Sequence, residues 1–284
     1  MAIATKVIKM ANLKLFDLNF FAGSKAEFLD ELNQEMSTKI KVGAEPPVLV
    51  FTPNPEQIVM ADQSPAFCTI LKKADFLIPD GIGVVKASRL FKTMAALKGK
   101  SRESLTERIA GVEVVQDLLV RYKDDQVLLI GGRDYHASAQ KIQKNTAKNK
   151  DIPDTISFLI KEKEVAWFTG YQSVGFASAE DEQKIRLVLR KLKPAIVFVA
   201  FGAPDQEEWI VEHLKLMQQE GVKMVMAVGG SFDVLTGKLK RAPNLWQKLG
   251  FEWLFRLIQE PTRWKRQLRL ITFVGLAFRE SLKT

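Results

Sequence analysis

The sequence predicts an α/β fold, a mostly parallel sheet flanked by helices, followed by a helical C-terminal appendage. Three observations predict it. Short β-branched runs alternate with helical periodicity along most of the chain. Each run ends in a loop rich in Gly, Pro, Asn or Asp. Beyond Pro243 the strand pattern stops and only helical periodicity remains.

Strands are expected at Val48 to Thr52, Phe76 to Ile78, Val127 to Ile130, Ile156 to Ile160, Ile196 to Phe201 and Met224 to Val228. Between and after them, helices are expected at Ser64 to Lys73, Gly83 to Leu90, Val112 to Tyr122, Tyr135 to Ala147, Asp181 to Leu192 and Asp205 to Gln218. The loops that end the strands read TPNPE, PDGIG, GGRD, TGYQ, FGAPDQE and GGSFD. In open α/β sheets ligands bind at the carboxyl ends of strands, so these loops are expected to face one crevice. In the tail, Trp246, Leu249, Trp253, Leu254, Leu257 and Ile258 repeat at helical spacing and are expected to form one face. Pro261 ends that helix and a second one is expected from Thr262. The organisation expected is therefore a core over residues 1–237 and a basic, amphipathic appendage over 238–284.

Composition excludes several classes. The chain has 284 residues, 46% hydrophobic and 26% charged, the balance of a globular protein with an ample core. A single cysteine, Cys68, rules out an internal disulfide and a Cys-rich zinc site, and His136 and His213 lack metal-ligand spacing. No metal site is expected, and no cofactor. The N-terminus has no signal-peptide pattern, and the longest apolar candidate, Leu270 to Phe278, is about half of a bilayer span. The net charge of +9 is concentrated at one end. Residues 238–284 carry 11 Lys or Arg against Glu252, Glu260 and Glu280, which is +8 of the total, and three of the five tryptophans. Such a segment suits an anionic membrane surface or a base-stacking nucleic-acid surface.

Six motifs offer chemistry. In Phe76-Leu-Ile-Pro-Asp80-Gly81-Ile-Gly83, a carboxylate at a strand end is placed either as a general base or as the cap of the next helix. Gly81-x-Gly83 is not a dinucleotide fingerprint, because Lys86 occupies the third glycine position. In Thr52-Pro-Asn54-Pro, two prolines stiffen a loop whose polar groups suit a sugar or phosphate, or simply turn strand into helix. Gln206, in Gly202-Ala-Pro-Asp-Gln206-Glu207-Glu208, can donate and accept toward a ligand's hydroxyls, while Asp205, Glu207 and Glu208 are explained by the helix N-terminus alone. Gly131-Gly132 and Gly229-Gly230, the latter followed by Asp233, permit close backbone approach to a ligand. Arg108 is the body arginine best suited to a diphosphate. Ser104 and Ser231 have no histidine-acid framework, and Cys68 reads as a small core residue.

In order, TPNPEQIVMA, ADFLIPDGIGVVKASR, ERIAGVEVVQDLL, LLIGG, VFVAFGAPDQEEWI and AVGGSFDVLTGKLKRAPNLWQKLGFEWLFRLIQEPTRWKRQ resemble the WecG/TagA/CpsF glycosyltransferase family across Val48 to Gln267. The resemblance implies a Rossmann-like α/β core without a metal-binding DxD motif. It also implies an inverting transferase that moves a sugar, often N-acetylmannosamine or its uronic acid, from a UDP-sugar donor to a polyprenyl-diphosphate-linked sugar acceptor. Such enzymes work at the inner face of the bacterial membrane, in the synthesis of teichoic acid linkers, enterobacterial common antigen or exopolysaccharide. By position it places the catalytic aspartate on Asp80, its neighbours on Thr52, Asn54, Arg108 and Gln206, and the appendage arginines on Arg256, Arg263 and Arg266. One departure stands out: 27 residues separate Asp80 from Arg108, among them the basic stretch 92–102, whose role the sequence leaves open and for which an extra acceptor or membrane contact is a candidate.

The reading is a cytoplasmic, peripheral inner-membrane, metal-independent glycosyltransferase. Asp80, Thr52 and Arg108 are expected to be catalytic. Asn54, Gly81, Gly83, Gly131, Gly132, Gly202, Gln206, Gly229, Gly230, Asp233, Arg256, Arg263 and Arg266 are expected to bind substrate. A homo-oligomer is a possible further partner and nucleic acid is not expected. The alternatives are an NAD-dependent oxidoreductase on a similar fold, disfavoured by the missing glycine fingerprint, and a nucleic-acid-binding module that uses the tail.

Overall fold

The computed structural model describes residues 12–42, 45–135, 154–160, 162–169 and 178–283. Its sheet contains β1 (Asn12–Leu15), β2 (Leu18–Phe21), β3 (Val48–Phe51), β4 (Phe76–Leu77), β5 (Val127–Gly131), β6 (Thr155–Ile160), β7 (Lys163–Phe168), β8 (Ile196–Ala200) and β9 (Met224–Ala227). The spatial order is β1-β2-β4-β3-β9-β8-β5-β7-β6. From β2 to β7 every neighbouring pair is parallel, while β1 with β2 and β6 with β7 form antiparallel edges. The expected mostly parallel sheet is therefore present.

The helices are α1 (Lys25–Val42), α2 (Pro55–Gln63), α3 (Pro65–Leu71), α4 (Ile82–Leu97), α5 (Gly111–Arg121), α6 (Ala179–Leu192), α7 (Asp205–Gln219), α8 (Ser231–Leu235), α9 (Asn244–Leu249), α10 (Glu252–Gln259) and α11 (Trp264–Lys283). They cover both faces of the sheet, which is why β3, β5, β8 and β9 are buried along their whole length and read as continuous apolar runs. Alternate residues feed two cores. Leu49 and Phe51 face one with Ile58, Val84 and Ile210, while Val48 and Val50 face the other with Phe28, Val114 and Leu118.

Several elements differ from expectation. The β1–β2 hairpin, α1, α2 and β7 are additional, and α4 runs one to two turns past Leu90. The helix expected over Tyr135 to Ala147 lies almost wholly outside the described residues, as do His136 and most of the TGYQ loop. The face expected from Trp246 to Ile258 is not continuous, because Gly250 adopts a left-handed conformation (φ 86°) that ends α9 before α10 begins. Pro261–Arg263 form a single 3₁₀ turn that leads into α11.

The long interval between Asp80 and Arg108 also has a structural account. The basic stretch forms the end of α4 and a return loop: Lys98 Nζ donates to the Leu282 carbonyl of α11 (2.6 Å) and the Arg102 guanidinium lies 5.1 Å from the centre of the Phe91 ring. The loop then comes back to the sheet, where Ile109 N–H donates to the Pro79 carbonyl (3.1 Å). Arg108 is thus returned to the end of β4. α11 packs on α2 and α4, with Phe273, Leu276 and Ala277 buried in the same core as Val84 and Phe91. Among the described residues no helix is long and apolar enough to cross a membrane.

Candidate active site

Because β4, β3, β9 and β8 are parallel neighbours, the loops that follow them emerge at one edge of the sheet. The first follows β3. Asn54 caps α2 by accepting from Gln57 N–H (3.1 Å), and the Gln57 side chain accepts from Asn54 N–H in return (3.2 Å), with Pro55 at the first helical position. Thr52 is buried and donates to the Ala227 carbonyl of β9 (3.3 Å).

The second loop, after β4, leans on the first. Gly81 has φ 106°, and a Cβ there would sit 3.1 Å from Pro55 Cδ; one on Gly83 would sit 2.8 Å from Pro55 Cγ. Glycine is needed at both positions so that the Asp80 turn can abut the Pro55 ring. Asp80 does not cap α4, whose cap residue is Gly81 with no side-chain bond. Its carboxylate instead accepts from the Gly111 N–H at the start of α5. A Cβ on Gly111 would lie 3.5 Å from Thr52 Cγ2, 3.6 Å from Asp80 Oδ2 and 3.7 Å from Ser231 Oγ, so these three side chains converge on the α5 N-terminus.

Electrostatics tune this carboxyl. Burial raises it to about 6 from an ordinary 3.8, against the opposing pull of Arg108, with Glu252 adding to the rise and the Gly111 N–H and Arg256 opposing it. Arg108 is largely buried and its Nη1 pairs with Glu252 Oε2, so α10 reaches the arginine that acts on Asp80.

A second cluster lies around Gly230, where a Cβ would meet Arg256 Nη2 at 2.2 Å and Asp233 Oδ2 at 3.0 Å. Asp233 is buried, accepts from Tyr135 OH (2.8 Å) and pairs with Arg133 Nε (3.3 Å) and Arg256 Nη2 (3.7 Å). Glu260 gathers Arg133, Arg256 (3.3 Å) and Arg263 (3.3 Å). Burial works to raise the Glu260 carboxyl, but Arg133 and Arg256 outweigh it and hold it below the usual range. Arg263 is pushed the other way, down from the ordinary guanidinium value, by burial and by Arg256 and Arg266; its Nε is buried without a hydrogen-bond partner. Crowded cations with a spare donor make an anion-accepting site.

The remaining residues divide. Arg266 lies 3.9 Å from Glu56 at the start of α2, beside the Arg269–Glu56 pair. Gly131 and Gly132 make room for aromatic rings, since added Cβ atoms would stand 2.4 Å from Phe201 and 2.7 Å from Tyr135. Gly202 and Gly229 face open space, and their N–H groups both donate to Gln206 Oε1 (3.3 and 3.0 Å). Gln206 is buried, so its amide is engaged within the protein. His213 is buried against Trp209, ring to ring at 4.0 Å, and Cys68 packs at the core margin. Sequence reasoning passed over Arg133, Glu252 and Glu260. The two glutamates carried a signal, being two of the three acids in a strongly basic segment.

The model of the glycosyl transferase WecG/TagA/CpsF family matches residues 13–284. A curated relative from Bacillus spizizenii, named N-acetylglucosaminyldiphosphoundecaprenol N-acetyl-beta-D-mannosaminyltransferase, is 33% identical over 229 residues, which is 79% of this chain and 76% of that protein.

Proposed function

The chain belongs to the WecG/TagA/CpsF glycosyltransferase family, and we propose that it moves an N-acetylmannosamine-type sugar, or a related hexose or uronic acid, from a UDP-sugar to a polyprenyl-diphosphate-linked sugar. The observation that carries the reading is one carboxyl, Asp80, held with a raised affinity for protons between Arg108 and a cluster of arginines. Asp80 accepts the proton of the acceptor hydroxyl as its oxygen attacks the anomeric carbon. The bond from that carbon to the UDP oxygen breaks on the opposite face, which inverts the configuration. A carboxyl near 6 is mostly ionised at neutral pH yet more basic than an ordinary aspartate, as a general base requires.

The departing diphosphate gains charge, and Arg108, Arg256 and Arg263 offer fixed cations to receive it. Glu252 and Glu260 hold these arginines until a substrate diphosphate replaces them. In this reading these arginines do the work that a divalent cation would otherwise do for the leaving diphosphate. The relative's name specifies a diphosphoundecaprenol-linked acceptor; a similar lipid acceptor here is consistent with work against the cytoplasmic face of the membrane, which is part of the proposal.

A thermal-shift panel of UDP, UDP-sugars and NADH, run with a transfer assay in EDTA, tests the reading. A ligand at 100 times its Kd adds about 2.7 kcal/mol of apparent stability. UDP and one UDP-sugar are expected to raise the melting temperature, and transfer is expected to survive EDTA. A shift with NADH alone, or activity lost in EDTA and restored by magnesium, contradicts it.

A further inference from the structure

We propose that Glu207 is a positioning residue for the transfer: its buried carboxyl ties the loop carrying Asn54 to the loop carrying Gly229 and Gly230, and so fixes the spacing between the base and the arginine cluster. This rests on the reading of Asp80 and Arg256 given above. Glu207 is 0% exposed, in the first turn of α7, and no cation among the described residues pairs with it. Its Oε1 accepts from Gln57 Nε2 (2.8 Å) and from Gln206 Nε2 (2.8 Å), two side chains that are themselves buried.

The orientation of both amides is dictated from their far ends. Gln57 Oε1 accepts from Asn54 N–H, and Gln206 Oε1 accepts from the N–H groups of Gly202 and Gly229. Each oxygen is thereby occupied by backbone donors, so each NH₂ must point at Glu207 and needs an acceptor there. One carboxylate oxygen satisfies both. The result is a continuous relay from Asn54 N–H through Gln57, Glu207 and Gln206 to Gly229 N–H, whose Gln57–Glu207 link joins residues 150 positions apart.

The ends of the relay are the parts of the site that must keep their distance. Asn54 and Pro55 abut the turn after Asp80, and Gly230 abuts Arg256. A helix cap alone does not require a buried carboxyl at this position: Asp205 and Glu208 already supply acidic groups to the same first turn. Without the Glu207 acceptor, two amide donors are orphaned in the core and both loops are free to shift. A displacement of about 1 Å at a reacting centre is enough to cost about 100-fold in rate.

The test uses the full chain and three variants, Glu207→Leu, Glu207→Gln and Gln57→Leu. They are read by amide hydrogen exchange and by transfer kinetics with a UDP-sugar and a short-chain lipid-diphosphate acceptor. Glu207→Leu is expected to accelerate exchange at Asn54 and Gly229 by at least about tenfold without changing β3, β8 or β9, and to lower kcat by about 10- to 100-fold at unchanged KM for the donor. Glu207→Gln, which keeps one acceptor oxygen, is expected to restore both readouts to within about threefold. Gln57→Leu is expected to release Asn54 alone, and it decides the matter if Glu207→Leu does not fold. Uniformly faster exchange, or a kcat per folded molecule that does not fall, overturns the proposal. The exchange pattern does not depend on chemistry, so it stands or falls separately from an Asp80→Asn control that keeps its turnover.

Discussion

Asp80, the proposed base, shows how surroundings change one residue's affinity for protons. Its neighbours supply attraction, yet desolvation is stronger, and the net effect moves the carboxyl to about 6. The sign of the pH dependence follows. In the proposed reaction the ionised form is the base, so kcat/KM is expected to fall as pH drops through about 6, tenfold per unit on the acid limb, and to be flat above it. A rate measured from pH 5 to 8 that shows no acid limb contradicts the assignment. At this scale the sequence was informative about which residues gather. Thr52, Asn54, Asp80, Arg108, Arg256 and Arg263 do come together at one end of the sheet. It was silent on their partners, because the Arg108–Glu252 pair spans 144 residues and depends on a tertiary approach that no local pattern encodes.

At the scale of elements, the loops are set by close packing. Pro55 fits against Gly81 and Gly83 with no room for a methyl group, so the two turns of the site move as one. Gly83→Ala is expected to destabilise the fold by about 1–3 kcal/mol, the usual cost of overpacking, and to lower turnover at saturating donor. Chemical denaturation and steady-state kinetics check both effects; a stable variant with full turnover removes the constraint. The parallel strands were legible because burial on both faces makes them continuous apolar runs. The β1–β2 hairpin was not. Its turn residues, Phe16 and Asp17, have φ 52° and 62°, values ordinarily signalled by Asn-Gly, and here Asp17 is held by Lys14 and Lys72, which keep its carboxyl down at about 2. The tail periodicity was real but interrupted by Gly250, whose role as a helix end depends on backbone geometry rather than on its neighbours in sequence.

At the scale of the whole molecule, charge and apolar surface are segregated together. Phe273, Leu276 and Ala277 of α11 are buried, whereas Leu268, Ile271, Val274, Phe278 and Leu282 lie exposed on its other face, in a helix that also carries Lys265, Arg266, Arg269, Arg279 and Lys283. We propose that this face rests on an anionic membrane, each basic residue contributing about 1 kcal/mol and the apolar side chains adding to it. Substituting Ile271, Val274 and Phe278 by Ser is expected to abolish pelleting with phosphatidylserine vesicles while leaving the fold intact. Pelleting that persists contradicts the proposal. The central claim concerns the base, and it is tested most directly by Asp80→Asn, assayed for transfer and for UDP binding in the same preparation. The expected result is a loss of turnover of about 10²- to 10⁴-fold with UDP affinity retained. Turnover close to that of the unsubstituted protein would contradict it.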